Sequence, residues 1–315
     1  MLTDEGSILI TGASGMVGSA VLRQLHDAPV SKILAPRRSE LDLLDPQQVN
    51  TYFENHQPDY VLMIAAHVGG IGANQADPVG FLTKNAHMEL NLFEACYKYQ
   101  TRKNLFFGSS CIYPRDCPQP IKEKYLLTGP LEPTNEGYAI AKIMGLKLAK
   151  FYYEQFGMLT VCPMPCNIYG TNDSFDLERC HVLSALVRRF VDAADEGAPV
   201  VTLWGTGTPK REFIHVDDVA AAILLLMEQY ESPEIINLGT GEEISILDLA
   251  ELIARQVGFT GEISWDPNKP NGMPRKCMDV TKLTGLGFKP QITLEAGIQQ
   301  TITEYRHLKA SGRFN

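Results

Sequence analysis

The stretch Gly108-Ser109-Ser110-Cys111-Ile112-Tyr113-Pro114 sets hydroxyls and a thiol directly after the apolar run Leu105-Phe106-Phe107. A hydroxyl in such a place can orient a carbonyl. A thiol is either a small buried hydrophobe without chemistry or a reacting group. Farther along, Tyr138-Ala-Ile-Ala-Lys142 spaces a phenol and an ammonium at i and i+4, which puts both on one helix face. A neighbouring cation lowers a phenol's pKa from its ordinary value of about 10. Lys142 is therefore expected to make Tyr138 a usable acid near neutrality. Y-x-x-x-K alone is a weak signal, because it arises by chance on surface helices.

A third group lies near the N-terminus, where Gly12-Ala-Ser-Gly15-Met-Val-Gly18 follows the apolar run Ile8-Leu9-Ile10 and opens the helical pattern MVGSAVLRQL. Glycines allow a tight turn and close backbone approach. The helix N-terminus offers free N–H groups and a positive dipole end to a pyrophosphate. Inside a strand–turn–helix–strand unit this triplet is a dinucleotide-binding signal. NAD-binding sites usually place a carboxylate at the end of the second strand, and an arginine there accommodates a 2′-phosphate instead. Here Ile33-Leu34-Ala35 runs into Pro36-Arg37-Arg38-Ser39. Two arginines and no acid favour NADP(H), with Asp42 placed near the adenine.

The elements that must position these groups alternate. YVLMIAA (60–66) and NLFFGSS (104–110) read as buried parallel strands with the helical stretch FLTKNAHMELNLFEACYKY between them. YAIAKIMGLKLAKFYYEQFG reads as a helix ending at Gly157, and LTVCPMPCNIYG as another strand running into a loop. Strands alternating with helices imply an α/β fold with a doubly wound parallel sheet, and ligands then sit at the strands' carboxyl ends. After Gly170 the texture changes, with the polar loop TNDSFDLERCHV, an amphipathic helix, short strands and a mostly helical tail. EIINLGTG looks like a strand returning to the sheet. The expected division is a Rossmann domain of 1–170 plus 213–240 and a smaller mixed α/β substrate domain of 171–212 plus 241–315.

Bulk properties narrow the function. A chain of 315 residues with 44% hydrophobic and 21% charged content is ordinary for a globular protein. The start MLTDEGSILITG has no leader pattern and no run of about 18 apolar residues occurs, so a cytoplasmic protein without membrane spans is expected. Seven cysteines with no C-x-x-C pair, and seven histidines with no H-x-x-x-H pair, argue for reduced thiols and no metal. A net charge of −9 disfavours nucleic acid, while the pairs Arg37-Arg38, Arg188-Arg189, Lys210-Arg211 and Arg275-Lys276 suit a small polyanion.

GMVGSA (15–20), AAHVGGI (65–71), GSSCIYP (108–114), LEPTNEGYAIAK (131–142), the NIYG stretch at 167–170, HV at 181–182, WGTGTPKREFIHVDD (204–218) and KPNGMPRK (269–276) together carry a resemblance over nearly the whole chain. It resembles the extended short-chain dehydrogenase/reductases and, within them, the GDP-L-fucose synthase family of GDP-4-keto-6-deoxymannose 3,5-epimerase-4-reductases. The resemblance implies a reductase triad of Ser109, Tyr138 and Lys142, with Ser109 chosen over Ser110 because it lies four residues before Tyr113. It implies Cys111 and His181 as the epimerisation pair. Arg189, Trp204 and Arg211 would hold the nucleotide diphosphate, with Lys269 and Asn271 as further substrate contacts. NADP(H) contacts would come from Gly12, Ser14, Gly15, Met16, Val17, Gly18, Arg37, Arg38, Asp42, Ala65, Ala66, Lys142, Pro165, Asn167, Ile168 and His181. Two departures are visible: Ser14 stands where some members carry a basic residue, and Asn271 where some carry Asp.

The implied activity is NADPH-dependent 3,5-epimerisation and 4-keto reduction of GDP-4-keto-6-deoxy-D-mannose to GDP-L-fucose. Homodimers packed through the two long helices are common in the family, and the apolar faces of 81–99 and 139–156 permit one. The rival readings are a C4 reductase that does not epimerise or acts on a related GDP-keto sugar such as a GDP-keto-heptose, and a catalytically silent NADP(H)-binding regulator. Cys96, Cys162, Cys166 and His215 read as packing or structural residues.

Overall fold

The computed structural model describes residues 6–26, 32–177, 180–269 and 271–312. Residues 178–179 of the polar loop and residue 270 of KPNGMPRK thus lie outside the described residues, as do 1–5 of the first segment.

Six parallel strands form the main sheet in the order Ile235–Leu238, Thr160–Pro165, Lys103–Phe106, Tyr60–Met63, Ser7–Thr11, Lys32–Leu34. Ile8, Leu9 and Ile10 are wholly buried, as are Val61, Leu62 and Leu105. Strands covered on both faces read as continuous apolar runs, which is why they were visible in the sequence. The chain passes from Ser7–Thr11 to Lys32–Leu34 on one side, then crosses to Tyr60–Met63 on the other. Ligands of open α/β sheets bind beyond the carboxyl ends at such a reversal.

The long helices Pro78–Lys98 and Glu136–Phe156 lie along each other, and Met16–Leu25 lies along Val216–Gln229. Their ends are specified locally. Asp77 accepts from the Gly80 N–H at 2.9 Å, with Pro78 in the first turn, where its missing N–H costs nothing. Glu136–Phe156 stops at Gly157, whose φ of 74° is open to glycine at little cost. His215 caps Val216–Gln229: its buried ring nitrogen Nδ1 accepts from the Asp217 N–H at 3.2 Å.

Two hydrophobic cores result. The first surrounds the main sheet and also gathers Met278, Leu283 and Phe288 from late in the chain. The second packs the helices Val182–Glu196, Ile246–Val257 and Leu294–Ser311, with Tyr169 and Phe213 among its members. Small sheets accompany it: Val200–Trp204 with Glu262–Asp266, and Ile244–Ser245 with Lys210–Arg211 and Arg275–Lys276. The parallel pair Asn167–Tyr169 and Phe213–His215 joins the segments that leave and re-enter the main sheet region.

Candidate active site

The glycine turn is built by close approach. A Cβ on Gly18 would lie 2.2 Å from the Gly12 carbonyl oxygen, and one on Gly12 would lie 2.9 Å from the Ala65 backbone. Gly12 also holds a φ of +72°. Together they let the Met16–Leu25 helix start against the strand end, and no side chain caps its first turn. Ala65 follows Tyr60–Met63, and its N–H donates to the Thr11 hydroxyl at 3.2 Å. Arg37 and Arg38 stand exposed beyond Lys32–Leu34, with Arg38 Nη2 3.7 Å from an Asp42 carboxylate oxygen. Ser14 is exposed, and its carbonyl accepts from the Asn172 amide at 3.0 Å. Pro165 ends its strand, and Asn167 donates to the Glu212 carbonyl at 2.8 Å, next to Ile168.

At the carboxyl end of Lys103–Phe106 the chain turns into a short 3₁₀ segment, Ser110–Ile112. The Ser109 hydroxyl accepts from the Cys111 N–H at 3.2 Å. The Ser109 side chain is close enough to Tyr138 to act on its phenol. Lys142 is 2% exposed, donates to the Phe107 carbonyl at 3.0 Å, and lies 5.9 Å from the centre of the Tyr138 ring. Ser109, Cys111, Tyr138 and Lys142 are therefore gathered at one strand end.

The expectation that Lys142 makes Tyr138 more acidic is not met. The phenol is pushed up, by burial first and then by the negative potentials of Cys111 and Glu89, against the effect of the Ser109 side chain. The physical reason is the burial of the phenol, and Lys142 does not offset it because that ammonium is itself paired. Glu89, 5% exposed on Pro78–Lys98, places Oε1 3.5 Å from Lys142 Nζ. Burial pushes the Glu89 carboxyl up to about 7, with Lys142 pulling the other way. Burial likewise lowers Lys142, with Glu89 opposing. A phenol that keeps its proton remains a hydrogen-bond donor and a proton source.

Cys111 has a donor that the sequence reading missed. Asn135 occupies the N-cap of Glu136–Phe156, yet its side chain makes no cap hydrogen bond. Its Nδ2 donates instead to Cys111 Sγ at 3.1 Å. His181 sits exposed at the N-cap of Val182–Glu196, near the half-buried Asp173 carboxyl, which accepts from the Ser184 hydroxyl. Among the described residues no hydrogen bond joins His181 to Cys111.

The residues expected at the nucleotide end form a chain of contacts. Arg189 Nη1 donates to the Thr202 carbonyl at 3.4 Å, two residues before Trp204. Trp204 ends Val200–Trp204 and is 60% exposed, with Lys269 Nζ 5.4 Å from its ring centre. Asn271 Oδ1 accepts from the Thr206 N–H at 2.8 Å and its hydroxyl at 3.1 Å, fixing the turn after Trp204. A Cβ on Gly272 would meet Arg211 Nη2 at 3.3 Å. An exposed indole beside cations is a stacking surface, not a core residue.

Both the sequence and the fold have known relatives. Residues 8–239 match the model of the NAD dependent epimerase/dehydratase family. The chain belongs to that family. It is 45% identical over 305 residues to GDP-L-fucose synthase 1 of Arabidopsis thaliana, covering 97% of this chain and 94% of that one. The solved structure of a GDP-L-fucose synthetase from Naegleria fowleri bound to NADP superposes with a TM-score of 0.90 at 29% identity, over 99% of this chain and 98% of that one. A GDP-6-OMe-4-keto-L-xylo-heptose reductase from C. jejuni gives a TM-score of 0.89 at 29% identity, over 96% and 98% of the two chains.

Within this family member, four contributors escaped the sequence reading: Glu89, Asn135, Asn85 and Glu212. Asn85 brackets residue 67, accepting from the His67 N–H at 2.8 Å and donating to the His67 carbonyl at 3.0 Å, and so fixes the loop after Ala65-Ala66. Glu212 is wholly buried and accepts from the N–H groups of Thr240, Gly241 and Met278 at 2.6–2.7 Å, beside Arg211. Only Asn135 had a legible cue, as a cap-type residue just before a helix. Replacing it tests the contact with sulfur. Asn135→Ser keeps a capping side chain but cannot reach as far. Alkylation of Cys111 by iodoacetamide, followed by peptide mass mapping, is expected to slow about fivefold, the worth of one hydrogen bond of about 1 kcal/mol. Equal rates in the two proteins would remove Asn135 from the account.

Proposed function

We propose that this chain converts GDP-4-keto-6-deoxy-D-mannose to GDP-L-fucose by 3,5-epimerisation and NADPH-dependent reduction at C4. The observation that carries the reading is the thiol of Cys111, held by Asn135 in the same strand-end turn as Ser109 and acting electrostatically on Tyr138. A plain ketoreductase needs no thiol there.

The glycine turn, the uncapped helix start and the exposed Arg37-Arg38 pair fit NADP(H): the turn has no room for a Cβ, and the arginines suit a 2′-phosphate. Ser14, Met16 and Val17 complete the turn, with Asp42, Ala65, Ala66, Pro165, Asn167, Ile168, Lys142 and His181 as the remaining contacts. When bound, NADPH supplies the hydride that ends on C4.

This chain's own groups do the rest. The hydrogens at C3 and C5 flank a ketone, so their removal places negative charge on O4. Hydroxyls of Ser109 and Tyr138 donate to that oxygen as the charge develops, which is the form of stabilisation worth most in a water-excluded site. Cys111 and His181 act from opposite faces of the sugar ring, one taking the C–H proton and the other returning one, so each centre inverts. In the reductive step Tyr138 gives its proton to O4, balancing the hydride received at C4. The upward-shifted phenol is protonated for this task at neutral pH. Arg189, Trp204, Arg211 and Lys269 bind the nucleotide diphosphate, and Asn271 holds the turn that carries Trp204.

The reading also includes a homodimer formed by the helices Pro78–Lys98 and Glu136–Phe156. Tyr97, Phe151, Tyr153 and Phe156 are exposed on them, an unusual concentration of large apolar rings for a solvent-facing surface. A second copy presenting the same rings covers them by self-complementarity. Among the described residues no helix is long and apolar enough to cross a membrane. The reading includes a cytoplasmic setting, in keeping with the odd count of seven cysteines and the lack of any C-x-x-C pair in the sequence.

Two measurements test these statements. Incubation with NADPH and GDP-4-keto-6-deoxymannose should consume NADPH and give GDP-L-fucose, identified by NMR. Tyr138→Phe should lower that rate by about 10²- to 10⁴-fold, the usual worth of a general acid. A product reduced at C4 with C3 and C5 unchanged would make the protein a C4 reductase, and NADPH binding without turnover would make it a silent binder. For the dimer, Phe151→Glu should shift the sedimenting species from two copies to one, and a wild-type monomer at micromolar concentration would exclude it.

A further inference from the structure

Glu89 is a carboxylate that the mechanism above does not use. It is 5% exposed, and the groups that act on its oxygens are Lys142 and the Gly145 backbone. Lys142 Nζ lies 3.5 Å from Oε1, a distance of ion pairing rather than of direct hydrogen bonding. Room for the other oxygen depends on a missing side chain: a Cβ on Gly145 would lie 2.8 Å from Oε2 and 2.3 Å from the Phe106 ring. Gly145 falls inside the Glu136–Phe156 helix, where glycine costs about 1 kcal/mol relative to alanine. Three elements thus converge on one buried charge pair.

Among the described residues, Glu89 and the Cys162 thiol are the titratable groups that act on Lys142. Lys142 faces the Phe107 carbonyl, the Phe106 ring at 4.5 Å and the Tyr138 ring, with the thiol of Cys162 behind it. Burial raises the Cys162 thiol well above its ordinary range, so that group is neutral. Tyr138 keeps its proton, and Cys111 acts on Tyr138 electrostatically. Glu89 is left as the anion that offsets the buried ammonium.

We propose that Glu89 is a positioning residue of the reaction, which keeps Lys142 charged and fixed under the Phe107 carbonyl, and through it sets the upper pH limit of turnover. This rests on the reaction proposed above for its kinetic consequence only. An opposite charge within 4–6 Å shifts a titration by about 1–3 units. Without Glu89 the burial of Lys142 acts unopposed, and its ammonium loses the proton at lower pH.

The test is a titration of lysine side-chain NMR signals in isotopically labelled protein, with Lys142 identified as the resonance missing from Lys142→Met. In Glu89→Gln its midpoint should fall by about one unit or more, a tenfold loss of proton affinity, and Glu89→Asp should recover part of it. The same Lys142→Met protein should show the Glu89 carboxyl titrating at higher pH than in wild type, since the coupling is reciprocal. The wild-type signals alone decide the matter if Glu89→Gln does not fold: a Glu89 carboxyl that stays protonated up to the pH at which Lys142 loses its proton overturns the proposal. So does an unchanged Lys142 midpoint. In turnover, the alkaline limb of kcat should move down by the same interval with KM for the sugar nucleotide within about twofold. A uniform loss at every pH would mean a structural role only. Absence of keto-sugar turnover in wild type would contradict the assigned reaction while leaving the two titrations to decide the role of Glu89.

Discussion

A lysine ammonium taken out of water costs several kcal/mol unless its charge is answered. Lys142 is almost wholly buried, so everything around it has to supply that answer. The Phe107 carbonyl is available because the chain leaves the sheet one residue after Phe106. Glu89 is available because Pro78–Lys98 runs along Glu136–Phe156, and Gly145 removes the side chain that would separate them. Once Lys142 is fixed, so is the rotation of its helix. Tyr138 then faces the Ser109 turn one helical turn earlier, and Asn135 at the helix start reaches Cys111. Placement of the phenol and placement of the thiol's donor are thus two consequences of one buried charge.

A second constraint of the same kind joins the two cores. Glu212 is a wholly buried carboxylate that accepts three backbone N–H bonds, from segments ending the main sheet and from the late strand region. Burial raises it, and those three donors act against the rise. Its neighbour Arg211 donates to the Lys210 carbonyl at 2.8 Å, and Asn271 clamps the turn bearing Trp204. The exposed cations and the indole therefore stand on a frame tied back to the sheet, instead of on a free loop.

What was legible in the sequence was local. The glycine triplet, the apolar strand runs and Tyr138/Lys142 on one helix face depend on neighbours within a few residues; the structure has each of them, with the strands ending sooner than the runs, at Met63 and Phe106. Gly12 and Gly18 are bare for the reason the fingerprint suggests, contact with backbone. Pairings across elements were not legible. Glu89 sits in a helix where an acid looks like one more solvated position, and only packing against Glu136–Phe156 makes it a buried counter-ion. Asn135 looks like an N-cap and occupies one, but its amide turns to sulfur. The error over Tyr138 has the same origin: the i,i+4 lysine was visible, while the packing that buries the phenol and the Glu89 carboxylate from another helix were not. His181 and Cys111 belong to different segments, so their partnership came from resemblance alone.

The central claim is that Cys111 moves protons on the sugar and is more than packing. The direct measurement is hydrogen exchange in D₂O, with GDP-4-keto-6-deoxymannose present and NADPH left out, followed at C3 and C5 by NMR. Deuterium entering both positions in wild type, and lost in Cys111→Ser with the fold intact, is the predicted result. No exchange in wild type, while added NADPH is still consumed, would contradict the claim and return Cys111 to the core.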